Sequence, residues 1–151
     1  MKNLILFVIM VVAVNYPPNT GTAATEGGPF IWRQINAAKH RIPVCNISPV
    51  EIIIGHTENH NPKADARWHN EWLKNPGRQV SWHITVDDKM IIQHLPYTAG
   101  GFHSNGKTNC QSIFIMLTDN EGINREKQRT LLEFALNDIR KSVKNLPIRM
   151  Q

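Results

Sequence analysis

The chain has 151 residues, of which 41% are hydrophobic, and it carries a formal net charge of +5. This length allows one ordinary globular domain with a single core and is too short for two. The modest basic charge favours a polyanionic partner, but the sequence has no recognition-helix motif, aromatic ribonucleoprotein motif or dense stripe of lysine and arginine. We therefore expect one domain that does not bind nucleic acid.

An apolar run near the amino terminus predicts export. Residues Leu4 to Val14 follow Lys2, and this run has the length of the apolar part of a secretory signal but is too short to span a bilayer as a helix. Small residues that suit cleavage lie at 22–24, but Pro17-Pro18 intervenes, so an uncleaved anchor is the alternative. We expect residues 1–24 to be a signal peptide or an N-terminal anchor, the protein to be secreted or in the cell envelope, and membrane contact only if the leader is uncleaved.

The next elements in chain order are an arm, a strand and a helix. Residues 25–46 lack periodicity and contain Gly27-Gly28-Pro29, which predicts an arm that leads into a domain at 47–151. The β-branched run at 50–54 predicts a buried strand. Residues 63–75 predict an amphipathic helix that starts after Pro62.

The second half of the chain completes an α/β pattern. Residues 80–86 and 90–94 predict a β-hairpin around a polar turn, and the glycine-rich loop at 99–106 allows close backbone approach to a ligand. Residues 112–117 predict another core strand, and residues 124–145 predict a long final helix. The order of elements implies a mixed central β-sheet covered by helices in a single domain.

Cysteine and histidine content leaves two questions open. Cys45 and Cys110 could form one disulfide in an oxidising compartment or remain two buried thiols. Six of the seven histidines fall in the central stretch, namely His56, His60, His69, His83, His94 and His103. A catalytic zinc site takes three protein ligands and a water molecule, but the spacing of these histidines matches no compact zinc pattern. Metal ligands and ordinary hydrogen-bonded histidines both fit this spacing.

Three segments together resemble the zinc-dependent N-acetylmuramoyl-L-alanine amidases, which are the amidase type 2 family of the phage-lysozyme and peptidoglycan-recognition superfamily. The segments are residues 52–59 (IIIGHTEN), 81–88 (SWHITVDD) and 101–113 (GFHSNGKTNCQSI). The resemblance implies an amidase-like fold, zinc as cofactor, peptidoglycan as partner, and cleavage of the amide between N-acetylmuramic acid and L-alanine of the stem peptide. A wall that contains phosphate-bearing polymers also suits the basic charge.

The resemblance also assigns residues to the site. It implies that His56 is the first zinc ligand. It implies a substrate-binding set made of Trp82, His83, Phe102, His103, Asn105 and Lys107. For His83 the alternative is a packed, hydrogen-bonded strand histidine that supports the site without binding substrate.

The sequence departs from the family pattern in two places. Where the related autolysins carry a glutamate base, this chain has Met116, which cannot accept a proton, so no catalytic residue is assigned. The family's other zinc ligands follow the last helix, and residues 147–151 contain no such ligand. Glu58, His60 or His103 are the candidates that could replace the missing zinc ligands. The sequence therefore predicts an active amidase or, alternatively, a non-catalytic peptidoglycan-binding module or a degenerate amidase truncated at its carboxyl terminus.

Overall fold

The structure, a computed structural model, describes residues 31–33, 45–75, 80–103 and 106–151. The expected leader at 1–24 and most of the expected arm lie outside the described residues. Among the described residues, no helix combines the length and the apolar character that a bilayer crossing requires.

Within the described residues, six strands form one mixed sheet with the order β1-β4-β3-β5-β2-β6. They are β1 (Ile31–Arg33), β2 (Glu51–His56), β3 (Ile84–Val86), β4 (Ile91–Gln93), β5 (Ser112–Leu117) and β6 (Ile148–Met150). β3 and β4 pair antiparallel as the predicted hairpin. The other neighbouring strands pair parallel. The predicted mixed sheet is confirmed.

Helices cover both faces of this sheet. They are α1 (Ala66–Leu73), α3 (Arg125–Ser142) and the short α2 (Gly106–Asn109). Because side chains alternate along a strand, Ile52 and Ile54 pack with the buried residues of α3, whereas Ile53 packs on the other face with Leu73 of α1 and with Trp82. The two apolar clusters hold α1 and α3 on opposite sides of the central strands.

The observed elements differ from the sequence expectations at their ends. α1 begins at Ala66 rather than at residue 63, because the side chain of Asp65 caps the helix by accepting the backbone N–H of Trp68 at 2.9 Å. The strand predicted at 80–86 is regular only from Ile84. Before it, the backbone N–H groups bond to a loop and to β5, and that of Ser81 donates to the carbonyl of Phe102 at 2.7 Å.

Two edge strands were not predicted. β1 lies within the segment expected to be an irregular arm, and it pairs with β4. β6 follows the final helix and pairs with β2, and the backbone N–H of Gln151 donates to the carbonyl of Ile54 at 2.9 Å. Each strand has three residues, which is too short for an alternating pattern to be recognised.

A disulfide joins Cys45 to Cys110 across 65 residues, with the two Cα atoms 6.0 Å apart. It connects the segment before β2 to the turn after α2. Of the two readings that the sequence left open, the structure has the bridge and not two free thiols.

The turn between β3 and β4 is organised by one buried carboxylate. Asp87 is 1% exposed, and its Oδ1 accepts the backbone N–H groups of Lys89 and Met90, both at 2.6 Å. Its Oδ2 accepts the N–H of Ala66, the first residue of α1, at 3.0 Å. Asp87 therefore links the hairpin to the helix.

We expect Asp87→Ala to lower the free energy of unfolding by about 3 kcal/mol, because it leaves backbone N–H groups without acceptors in a buried place. The neighbouring Asp88→Ala is the matched control, since Asp88 is only half-buried and accepts a single backbone N–H, that of Asn124. Urea denaturation of the three proteins measures the difference. Equal losses for the two variants would show that the buried carboxylate has no special role.

Candidate functional site

A cavity of about 470 Å³ opens at one end of the parallel strands, on the face that α1 covers. The carboxyl ends of β2 and β5 meet at this edge because the two strands run parallel in register. Of the residues predicted for the site, the cavity brings together His56, Trp82 and His103. It also contains residues that the family pattern did not assign, including Trp68, His69, Trp72 and Gln151.

His56 stands at the last position of β2 and is oriented by a carboxylate. Its Nδ1 donates to Oδ1 of Asp119 at 2.9 Å, and the His56 side chain is 40% exposed. This bond fixes the ring and leaves Nε2 as the nitrogen that is free to interact with a ligand. A carboxylate that holds the far nitrogen of a histidine is the arrangement found both behind metal ligands and behind catalytic bases.

Asp119 is itself held by several donors. Its Oδ1 also accepts from the guanidinium of Arg125 at 2.9 Å, and its Oδ2 accepts the backbone N–H of Glu58 at 2.9 Å. Burial acts to raise the pKa of Asp119, but the bonds from His56, Glu58 and Arg125 outweigh it and hold the pKa below the ordinary value. Glu58 adopts a left-handed conformation with φ of 51° to make its bond. The carboxylate is therefore ionised and fixed beside His56.

Asp119 is a candidate site residue that the sequence did not predict. It follows β5 directly, as His56 ends β2, and parallel strands bring their carboxyl ends to one edge of a sheet. That rule applied to the predicted strands would have placed the segment after residue 117 beside His56. The family pattern drew attention to position 116 instead.

Met116 lines the cavity at the position of β5 where the family pattern has a glutamate. It lies on β5 beside Gly55 of β2, and a Cβ on Gly55 would come within 3.2 Å of the Met116 sulfur. The thioether therefore fills the space next to the glycine and lines the cavity. The structure places no carboxylate at this position of β5.

His83 lies beneath the cavity and is completely buried. Its Nδ1 accepts the backbone N–H of Phe114 at 3.0 Å, and its Nε2 donates to the carbonyl of Ala99 at 2.8 Å. Both ring nitrogens are thus used in joining β5 to the glycine-rich loop that precedes it. Burial lowers the pKa of His83 to about 4, so the ring is neutral at pH 7. In this geometry His83 supports the site, and it does not line the cavity.

The other predicted substrate-binding residues differ in their position relative to the cavity. His103 lines the cavity, and its backbone N–H donates to the side chain of Asn109 at 3.1 Å. Phe102 is 42% exposed beside it and does not line the cavity. Asn105 lies outside the described residues. Lys107 belongs to α2, but its side chain is not among those described.

The donor set near His56 does not make up a zinc site by itself. Among the described residues, no group of three histidine, cysteine or acidic side chains is placed to hold a metal ion. The carboxylate that contacts His56, Asp119, is already bonded to the guanidinium of Arg125. A catalytic zinc site needs three protein ligands, and the described residues do not meet that requirement.

A mixed sheet with helices on both faces and a ligand cavity at the strand ends defines the class of single-domain α/β proteins to which the amidase and peptidoglycan-recognition folds belong. No protein-family model matches the chain. The chain is 34% identical over 125 residues to the N-acetylmuramoyl-L-alanine amidase CwlH of Bacillus subtilis (strain 168), which is 76% of this chain and 50% of CwlH.

A second relative in sequence and a solved structure are also N-acetylmuramoyl-L-alanine amidases or their domains. The N-acetylmuramoyl-L-alanine amidase XlyA of the same organism is 43% identical over 81 residues, 52% of this chain and 27% of XlyA. The solved structure of the catalytic domain of XlyA superimposes with a TM-score of 0.70 at 29% identity, covering 79% of this chain and 82% of that domain. By sequence and by fold, this chain is therefore a homologue of N-acetylmuramoyl-L-alanine amidases. It spans half the length of CwlH and about a quarter of XlyA.

Proposed function

We propose that this chain acts on peptidoglycan as an N-acetylmuramoyl-L-alanine amidase, which hydrolyses the amide between N-acetylmuramic acid and the L-alanine of the stem peptide. The observation that carries the proposal is the position of His56. The residue that the family pattern assigns to the site stands at the end of β2, oriented by Asp119, in a cavity large enough for a small ligand. Two relatives that are similar to this chain in sequence are named N-acetylmuramoyl-L-alanine amidases.

The residues of the chain have distinct roles in this proposal. His56 contacts the scissile amide through Nε2, and Asp119 orients the imidazole. Trp82 and His103 form part of the surface against which the substrate lies. Phe102, Asn105 and Lys107 stay predicted contacts at the loop beside the cavity. Peptidoglycan is the only partner proposed.

Zinc is the cofactor that the family implies, and His56 is the ligand that the resemblance assigns. When bound in such enzymes, zinc activates a water molecule and polarises the carbonyl. The described donors do not complete a three-ligand set. The proposed roles of His56 and Asp119 are therefore limited to contact with the substrate and to orientation of the imidazole.

We also propose that the protein works outside the cytoplasm. The bond between Cys45 and Cys110 supports this, since structural disulfides persist in oxidising compartments and are rare in reducing ones. Peptidoglycan lies in the same place. Detection of the protein in culture fluid or envelope fractions, with both cysteines resistant to alkylation, is the expected result. Cytoplasmic protein with two alkylated thiols would contradict it.

One observation favours a second candidate, a non-catalytic module that binds peptidoglycan. Met116 fills the glutamate position of the family pattern with a thioether, while the cavity stays open. A cleft that keeps its shape and loses its carboxylate can still hold a ligand. This candidate predicts that the chain sediments with cell walls in the presence of a chelator and releases nothing.

Hydrolysis by the purified chain separates the two candidates. Walls are incubated with the protein, with added zinc or with chelator, and newly formed alanine amino termini are counted by labelling and mass spectrometry. The amidase proposal expects release of alanine amino termini in at least one of the two conditions. Sedimentation with walls but no release, from a protein shown to be folded, would support the binding module. In that case Met116→Glu, which restores the carboxylate, tests whether the missing group is the reason.

A further inference from the structure

Three indole side chains that line the cavity form a stacked series. Trp68 and Trp72 lie one helical turn apart on α1, and Trp82 precedes β3. The ring centroids of Trp68 and Trp72 are 6.3 Å apart with planes at 21°. Those of Trp72 and Trp82 are 6.0 Å apart with planes at 25°. We call these three nearly parallel rings the indole wall.

The wall runs from the protein interior to the surface. At its inner end, Trp82 is 6% exposed and its Nε1 donates to Oγ1 of Thr85 at 2.7 Å, which fixes the ring. At its outer end, Trp68 is 39% exposed. Core packing accounts for Trp82, and a single exposed aromatic residue would need no explanation. Trp68 is different because it continues a stacked series that lines the same cavity as His56.

The wall carries no formal charge. Its neighbour His69 contacts Trp68 edge-on, with ring centroids 4.9 Å apart, and is 4% exposed. Burial lowers the pKa of His69 to about 4, so the imidazole is neutral at pH 7. The ionisable groups that line the cavity at the end of β2 are His56 and Glu58. The cavity therefore has an uncharged aromatic side at the indole wall and ionisable groups at the end of β2, which we call its polar side.

We propose that the indole wall is a subsite for a pyranose ring of the glycan strand, an N-acetylhexosamine, and that the polar side of the cavity receives the stem peptide. One face of a pyranose ring presents C–H groups in a plane, which fits the negative face of an indole. The ring is uncharged, as the wall is, whereas the stem peptide carries ionised groups. This inference rests on the proposed function, and it adds which part of peptidoglycan each side of the cavity recognises.

Two ligands measure the two sides separately. Calorimetry in the presence of chelator gives Kd for N-acetylglucosaminyl-N-acetylmuramyl tripeptide and for the free tripeptide. We expect Trp68→Ala to weaken binding of the disaccharide ligand about tenfold, in keeping with the loss of one aromatic stacking contact, and to leave the free tripeptide unchanged. Trp68→Phe should keep most of the affinity. Phe134→Ala is the matched control, since Phe134 of α3 is also 39% exposed and lies outside the cavity.

The outcomes distinguish this inference from the proposed function. Unchanged disaccharide binding in Trp68→Ala would overturn the glycan subsite and leave the proposed function intact. Equal weakening of both ligands would also overturn it, because the wall would then serve the peptide, as a cationic stem-peptide side chain on an aromatic face would require. A folded wild-type protein that binds neither ligand would overturn the proposed function as well.

Discussion

His56→Ala is expected to lower the rate at which this chain releases alanine amino termini from peptidoglycan by at least about a hundredfold, the size of effect seen when a group that acts on the reacting bond is lost. His56 is held in place by Asp119 at 2.9 Å, and its Nε2 is the ring nitrogen left free. No other described histidine combines such a bond to a carboxylate side chain with a position in the cavity. Initial rates on purified walls measure the effect.

His60→Ala is the control for this variant. His60 is also exposed, and its Nδ1 donates to the backbone carbonyl of Asp119 at 3.2 Å, but it does not line the cavity. His60 therefore lies near His56 but outside the cavity. Its removal should leave the rate of alanine release within about twofold of the wild-type rate, as expected for a group that does not contact the reacting bond. Equal rates for wild type and His56→Ala would remove His56 from the site.

Acid is expected to destabilise this protein well above the pH at which carboxylates protonate. His83 and His94 are fully buried, and burial lowers their pKa values from 6.5 to about 4 and about 3. Between these pKa values and 6.5, the unfolded chain binds protons at these histidines that the folded chain does not bind. Their contribution to the free energy of unfolding is therefore fully present above about pH 6.5 and is lost as the pH decreases toward the folded pKa values. Between pH 7 and pH 5 each of the two costs about 2 kcal/mol, and together about 4 kcal/mol.

Urea denaturation at a series of pH values measures this effect. The slope of stability against pH gives the number of protons taken up on unfolding. His94→Gln should reduce that number by about one between pH 6 and pH 4.5, because it removes a single such titrating group. A stability that stays flat from pH 7 to pH 5 would show that the buried histidines are protonated without cost in the folded state.

The central elements of the fold could be read from the sequence because their patterns are long. The apolar run of β5 and the helical period of α3 each extend over more than one repeat, and their observed bounds match closely. β6 could not be read in this way. Its side chains are all exposed, and only pairing with β2 makes Ile148–Met150 a strand.

Only part of the candidate site could likewise be predicted from the sequence. His56 was predicted for the site because a distinctive local pattern surrounds it. Asp119 lies 63 residues further along the chain and contacts His56 only because β2 pairs with β5. The indole wall was not predicted from the sequence, for a different reason. Trp68 and Trp72 occupy helix positions that the period of α1 explains as apolar packing, and only the geometry shows that their rings continue into the cavity.

The most direct test of this account is a crystal structure of His56→Ala bound to N-acetylglucosaminyl-N-acetylmuramyl tripeptide. The substitution preserves the ligand by slowing hydrolysis. We predict a sugar ring against Trp68 and Trp72, with the lactyl-alanine amide beside position 56. Ligand bound elsewhere on the domain, with the cavity between α1 and β2 empty, would contradict both the proposed function and the placement of its site.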